Sequence, residues 1–172
     1  MSEEFFEVKV FKGNSRLPEI CEVRKRAWQN SMKADLLKDP SFIPRLNNDE
    51  DEDTHIIIED NGRIVGVGRI KMKNDFSLLS SFKDFDLSLD RPYGELERVA
   101  VDPEYGGRGL VHLIDQAVLE YVKNNGMPFL FVTVIPPRDK TVERLGYRRL
   151  GEYMVTFDTK EFSTVAFVYE SK

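Results

Sequence analysis

Three glycines in four residues, Gly106-Gly107-Arg108-Gly109, stand between Glu104-Tyr105 and an apolar run that opens with Leu110-Val111. Glycine lets the main chain turn tightly and brings its N–H groups close to a ligand. A helix that starts just after such a turn adds unpaired amide donors and a partial positive charge. Together these make a site for a diphosphate, and Arg108 adds a full positive charge. The plain alternative is a Gly-rich turn with no ligand. Other chemistry has less support. His55 and His112 are the only histidines, Cys21 is the only cysteine, and their spacing does not fit a metal site. His112, on the helix after the turn, reads as a surface or partly buried side chain. No nucleophile elbow supports Ser/His/Asp hydrolysis. Cys21 falls in an apolar helical pattern and reads as a core thiol, and a single cysteine fits a cytosolic setting.

The elements that position the turn can be read from period and punctuation. Phe5 to Phe11 alternates as a strand does, and Gly13-Asn14-Ser15 ends it. Pro18 suits a first helical turn, and Ile20, Val23, Ala27 and Trp28 recur at helical spacing to about Met32. A second short helix is expected near Ala34–Asp39. His55 to Glu59 is a β-branched run, Asn61-Gly62 is a hairpin turn, and Ile64 to Met72 is the return strand. Gly66 and Gly68 lie on one face of it, where another backbone has room to approach. Residues 74 to 92 read as a long excursion. Glu95 to Val101 is the next strand. Its apolar phase slips between Leu96 and Val99, which predicts a β-bulge.

A helix over Leu110–Lys123 follows the glycine turn, with Leu110, Leu113, Ile114, Ala117 and Tyr121 on one side and Asn124-Asn125-Gly126 as its stop. Pro128 to Ile135 is a buried strand, Thr141 to Leu145 a short helix, and Tyr147–Phe157 with Glu161–Tyr169 a final antiparallel pair. Strands and helices alternate only in the middle. That predicts one α+β (mixed α/β) domain over residues 1–172. Its sheet of six to seven strands is mostly antiparallel and contains one parallel pair joined by the Leu110–Lys123 helix.

Length and composition agree with a single globular core: 172 residues, 41% hydrophobic and 32% charged. A net charge of −5 argues against non-specific nucleic-acid binding, which needs a basic face. Arg108, Arg138, Lys140, Arg144, Arg148 and Arg149 crowd the second half, and Asp49 to Asp53 is an acidic run. That run reads as a solvated loop, with an electrostatic lure for a cationic substrate as the alternative. The first residues carry no signal pattern. The longest charge-free apolar stretch, Met127 to Pro137, is too short to span a bilayer. A cytoplasmic protein without membrane or nucleic-acid partners is expected, and a homodimer stays open.

Glu97-Arg98-Val99-Ala100-Val101-Asp102-Pro103-Glu104-Tyr105, followed by Gly107-Arg108-Gly109, resembles the central motif of the Gcn5-related N-acetyltransferases. Leu145-Gly146-Tyr147 with Gly151-Glu152 is similar to that family's ending before its last strands, so the resemblance covers about residues 55–169. It implies a sheet with helices on both faces and an acyltransferase using acetyl-coenzyme A or another acyl-coenzyme A, without a metal. The acceptor it implies is a primary amine of a small molecule or peptide. It also implies that the pantetheine arm pairs with the main chain of Val99, Ala100 and Val101 as an added strand. The pyrophosphate would then sit on Gly106, Gly107, Arg108, Gly109, Leu110 and Val111. Glu97 would be the base and Tyr147 a candidate acid, with Tyr153 also within reach.

The chain departs from the family at three positions. Gly106 stands where Arg or Gln is usual, Val111 where a small residue is usual, and Val142 where many members carry an acidic Tyr. A second resemblance involves Arg24, Arg26, Trp28, Asp51, Asp53, His55, Gly66, Gly68 and Arg69, with Glu97-Arg98 after them. It is similar to acyl-homoserine-lactone synthases, in which an Arg-bearing helix and paired acids shape the acceptor site; it implies a long-chain donor on a carrier protein. A non-catalytic metabolite-binding module of the same fold is the remaining alternative.

Overall fold

The computed structural model describes residues 5–29, 31, 38, 49–73, 92–157 and 160–171. The expected helix near Ala34–Asp39 and the 74–92 excursion lie outside these residues, apart from Lys38 and Pro92 at their edges. In chain order the elements are β1 (Glu7–Lys12), α1 (Leu17–Gln29), β2 (Thr54–Asp60), β3 (Arg63–Lys73), β4 (Tyr93–Val101), a 3₁₀ turn (Pro103–Tyr105), α2 (Leu110–Asn124), β5 (Phe129–Val134), α3 (Asp139–Arg144), β6 (Arg148–Phe157) and β7 (Lys160–Glu170). The strands form one seven-stranded sheet in the order β1-β2-β3-β4-β5-β7-β6. β4 and β5 run parallel, with Gly94 opposite Leu130 and Leu96 opposite Val132, and α2 connects them. The other recorded pairings are antiparallel. The expected mixed, mostly antiparallel sheet is therefore what the chain forms.

The chain divides into two compact units, Met1–Lys71 with Arg98–Glu120, and Met72–Glu97 with Tyr121–Lys172. In the first, the β2–β3 hairpin turns at Asn61 (φ 49°) and Gly62 (φ 82°), the positive pair a two-residue turn requires. Period two then sorts the hairpin's side chains onto two faces. Ile57 and Val67 are opposite each other, and they pack with Ile20 and Val23 of α1, Ile64 and Ala100. Each of the isoleucine and valine side chains, fully buried, is worth roughly 1.5–3 kcal/mol. Ile58 and Gly66 face the other way, toward Ile114 of α2. α1 and α2 thus cover opposite faces. The atoms nearest to where a Cβ on Gly66 would stand are Ile58 and Ile114 side-chain atoms at 3.4–3.5 Å, so side chains, not another backbone, come closest there.

The buried stripe of α2 is Leu110, Ile114, Val118 and Val122, together with Leu119 and Asp115. Leu113, Ala117 and Tyr121, expected on the core side, are only half-buried. In the second unit Tyr93, Phe131, Ala166 and Val168 form the core, with the Tyr93 and Phe131 rings edge-on at 5.1 Å. Met127 lies so close over Gly94 that a Cβ there would stand 2.3 Å from its sulfur. A larger residue at this point on β4 would require the Met127 thioether to move aside.

Candidate functional site

The Gly-rich turn belongs to the first unit, and Asp102 roots it. The Asp102 side chain is 1% exposed. It accepts hydrogen bonds from Arg26 Nε (2.8 Å), Arg63 Nη2 (2.9 Å) and the Glu104 main-chain N–H (3.2 Å). Its own N–H donates to the Val65 carbonyl at 2.8 Å. One carboxylate thereby caps the 3₁₀ turn and ties the end of β4 to α1 and β3. Tyr105 is fixed next. Its hydroxyl donates to Asp60 at 2.7 Å, and its ring packs edge-on against Phe6 at 6.1 Å.

Arg108 lies over the Tyr105 ring, 4.9 Å from its centroid. The guanidinium expected to add charge to the turn is therefore held by a cation–π contact and exposed. Gly107 (φ 76°) and Gly109 (φ 77°) take the left-handed conformation, and no heavy atom lies within 4 Å of where a Cβ would stand on either. Backbone amides in such a turn, followed by the first turn of α2, form a concave donor set for an anion. The residues present thus fit a diphosphate. Gly106 has φ −58°, which any residue adopts, but a Cβ there would meet the Pro103 carbonyl oxygen at 3.2 Å. The Arg or Gln usual at that position needs that carbonyl to give way. Leu110 is buried and Val111 half-buried. The Ala100 side chain packs into the α1-side core, while Val99 and Val101 are half-buried.

A second group of residues in the same unit was not anticipated as a unit. Arg24 is fully buried on the core side of α1 and grips Asp49 with both Nη atoms, at 2.7 and 2.9 Å. Arg69 Nη1 stands 3.4 Å from Asp49 and 3.2 Å from Asp53, and Arg98 Nη1 lies 3.3 Å from Asp49. The acidic run is therefore not a solvated loop. The Asp49 side chain is wholly buried and Asp53 is 3% exposed, while Glu50, Asp51 and Glu52 face solvent, Glu50 pairing with Lys71. Burial pushes the Asp49 carboxyl up, but hydrogen bonding to Arg24 and the charges of Arg24, Arg69 and Arg98 outweigh it and hold it below the usual carboxylate range.

Arg98 has φ 55°, a left-handed conformation in mid-strand, at the point where the apolar phase of β4 slips. For a residue with a Cβ this costs roughly 1–2 kcal/mol, and surrounding contacts must offset it.

His55 lies in the same cluster, fully buried, with neither ring nitrogen hydrogen-bonded. Its Nε2 is 3.9 Å from Asp49 Oδ1, and its ring stacks on Phe11 at 6.3 Å. Burial, only partly opposed by the Asp49 charge, pushes its pKa down from 6.5 to about 4. The unfolded chain therefore binds a proton near pH 6.5 that the folded chain refuses until about pH 4. The resulting stability is fully present above pH 6.5 and is lost as pH falls toward 4, by roughly 3 kcal/mol over the window. We expect this acid slope in urea midpoints, and we expect His55→Phe to flatten it between pH 6.5 and 4. An unchanged slope in that variant would show that His55 is not its source.

Glu97 and Tyr147 belong to the second unit. Glu97 is half-buried on β4, directly before the left-handed Arg98. Tyr147 is 5% exposed at the mouth of β6, with its ring 5.4 Å from Tyr169. Val142, at the position where related chains carry an acidic Tyr, is a buried residue of α3 at 2% exposure. Tyr153 packs against the Tyr93–Phe131 core. The basic residues of the second half are partly neutralised: Arg148 pairs with Glu170, and Arg149 with Glu143 and Glu152. Cys21 is half-buried, not a core thiol, and burial raises its pKa, so it is a poor nucleophile. His112 is exposed. Among the described residues, no three His, Cys, Asp or Glu side chains group as a metal site would, and no helix is long and apolar enough to cross a membrane.

Comparison with known proteins adds a family. A model described as "Acetyltransferase (GNAT) family" matches residues 17–151. Among solved structures, a probable acetyltransferase from Staphylococcus epidermidis superposes with a TM-score of 0.68 at 12% identity, covering 98% of this chain and 100% of that one. The ribosomal-protein-S18-alanine N-acetyltransferase from Escherichia coli does so with 0.64 at 16% identity, covering 98% and 96%. FeeM, an N-acyl amino acid synthase from uncultured soil microbes, gives 0.64 at 12% identity, covering 96% and 91%. These identities speak for the fold alone. No curated protein matches the sequence.

Proposed function

The chain belongs to the acetyltransferase (GNAT) family, and on that premise we propose that it transfers an acetyl or other acyl group from acyl-coenzyme A to a primary amine of a small molecule or peptide. The observation that carries this reading is the turn after β4. Gly107 and Gly109 are left-handed and open to approach, and the turn is rooted by Asp102 and continued by the first amides of α2. That arrangement suits the diphosphate of a nucleotide-bearing donor.

In this reading the main chain of Val99 to Val101 holds the pantetheine arm, and Gly106 to Val111 hold the pyrophosphate. Glu97 takes the proton from the attacking amine. The amine nitrogen then bonds to the acyl carbon, and the C–S bond breaks to give the amide and a coenzyme A thiolate. A thiol of pKa about 8.5 leaves tolerably without a proton, so a dedicated acid is of secondary weight, and Tyr147 is the candidate. Holding donor and amine together supplies much of the rate. The reaction suits a cytoplasmic protein, where acyl-coenzyme A is available.

One observation favours a second reading. Of the residues named in the second resemblance, Asp53 does meet Arg69, while the α1 arginine Arg24 pairs with the neighbouring acid Asp49 and Asp51 faces solvent. That pattern favours a long-chain donor, presented on coenzyme A or a carrier protein, and an acceptor resembling those of signal-molecule synthases. Calorimetric titration with acetyl-coenzyme A and a long-chain acyl-coenzyme A, followed by thiol release with an amine panel, tests both. Binding and turnover with acetyl-coenzyme A are expected. Turnover only with long-chain or carrier-bound thioesters selects the second reading. Absence of binding to any thioester defeats both and leaves a non-catalytic module.

A further inference from the structure

Arg98 is the one residue of β4 with a positive φ, and it follows directly on the proposed base Glu97. A left-handed residue with a full side chain persists in a strand only where its surroundings hold it there. What its side chain reaches is unusual for the middle of a strand. Its guanidinium, 15% exposed, lies 3.3 Å from the Asp49 carboxylate. Asp49 is no loose surface acid. It is itself fixed by the two-pronged grip of Arg24 from α1 and by Arg69 from β3. A flexible loop carboxylate would tether nothing, whereas one clamped by a helix and a strand is a fixed point.

We propose that Asp49 and Arg98 are positioning residues for acyl transfer: the Arg24-clamped Asp49 holds Arg98, and so holds the left-handed backbone conformation at Arg98 that aims Glu97. The role for Glu97 rests on the acyltransferase reading above; the tether itself does not. The other end of the segment is held independently. Asp102 bonds to Arg26, Arg63 and the Val65 carbonyl, so Val99 to Val101 stay pinned when the tether is cut. Loss of the tether should therefore lower kcat far more than it raises the donor KM. A displacement of about 1 Å of a catalytic group costs on the order of 10²-fold.

The test exploits the conformation itself. Glycine takes a positive φ without strain, whereas alanine lacks both the tether and that freedom. Arg98→Ala is expected to lower kcat about 10²-fold with donor KM within about threefold. Arg98→Gly should fall between it and the wild type. Asp49→Asn should behave as Arg98→Ala does, yet add less than about threefold in the Arg98→Gly background, because nothing is left for it to hold. The Arg98 variants leave Asp49 in the hands of Arg24 and Arg69, so they stay informative if Asp49→Asn proves too unstable to assay.

Amide hydrogen exchange over Glu97–Val101 gives a readout independent of turnover: at least tenfold faster in Arg98→Ala, and unchanged in the β5–β7 ladder. An Arg98→Ala enzyme with kcat within threefold of wild type, or equal damage from Ala and Gly at 98, overturns the positioning role. Exchange that does not respond overturns the tether. A wild-type protein without turnover whose 97–101 exchange still responds to Arg98→Ala strikes the acyltransferase reading and leaves the tether standing.

Discussion

Replacing Arg24 by alanine is expected to remove about 3–5 kcal/mol of stability, the usual cost of leaving one partner of a buried ion pair alone. Two features put the effect in that range. Arg24 and Asp49 are both fully buried in the side chain, so water cannot take over the lost bonds. The contact is also a two-pronged fork, with both Nη atoms within 2.9 Å of separate carboxylate oxygens. Arg69 and Arg98 remain near Asp49 at 3.4 and 3.3 Å, and they keep the loss from exceeding that range. Arg24→Lys keeps the charge but not the fork, and should lose a smaller part of the same amount. Urea unfolding measures all three proteins. An Arg24→Ala protein within 1 kcal/mol of wild type would mean that the pair contributes nothing net, as some buried pairs do when relaxation lets water in.

That cluster also marks where reading the sequence stopped short. The strands of the β2–β3 hairpin, the Asn61-Gly62 turn and the α2 start all followed from local signals, and the slip of phase in β4 falls where Arg98 takes its positive φ. Alternation, a dipeptide, three glycines and a slip of phase each act over a few residues. Arg24, Asp49, Asp53, Arg69 and Arg98 meet across sequence separations of 16 to 49 residues, where no period operates. Charged residues are rarely buried, so an acidic run reads as surface by default.

Signals of phase were nevertheless present. Arg24 sits four residues after Ile20 and three before Ala27, on the buried side of α1. His55 alternates in step with Ile57, and Arg69 with Val67, on the face that α1 covers. A charged residue in phase with the core needs a buried partner, and the nearby acids were the available ones. Asp115, buried within the stripe of α2, follows the same logic. The glycine turn after β4 was legible for the opposite reason: glycine announces the left-handed conformation that Gly107 and Gly109 adopt.

The largest kinetic effect is expected from Glu97→Gln, which should lower turnover about 10²- to 10⁴-fold while leaving donor binding within a few-fold. The argument starts from the acceptor. A primary alkyl amine has a pKa near 10, so at pH 7 only about one molecule in a thousand has the free lone pair that attacks a thioester. A carboxylate beside the reacting nitrogen relieves that scarcity by taking the ammonium proton before the nitrogen attacks. Glutamine keeps the size and a hydrogen-bonding oxygen but cannot take the proton, so the variant isolates this one role.

The pH profile then distinguishes a base from a residue that merely shapes the pocket. With the base gone, the variant depends on amine deprotonated in solution. Its deficit should shrink by roughly tenfold for each unit of pH until the amine pKa is reached. A shape defect would instead give a constant deficit at every pH. Thiol release at saturating donor, from pH 7 to 9.5, separates the two. Turnover of Glu97→Gln within threefold of wild type at pH 7 would remove Glu97 from the chemistry and return the half-buried carboxylate to a packing role on β4.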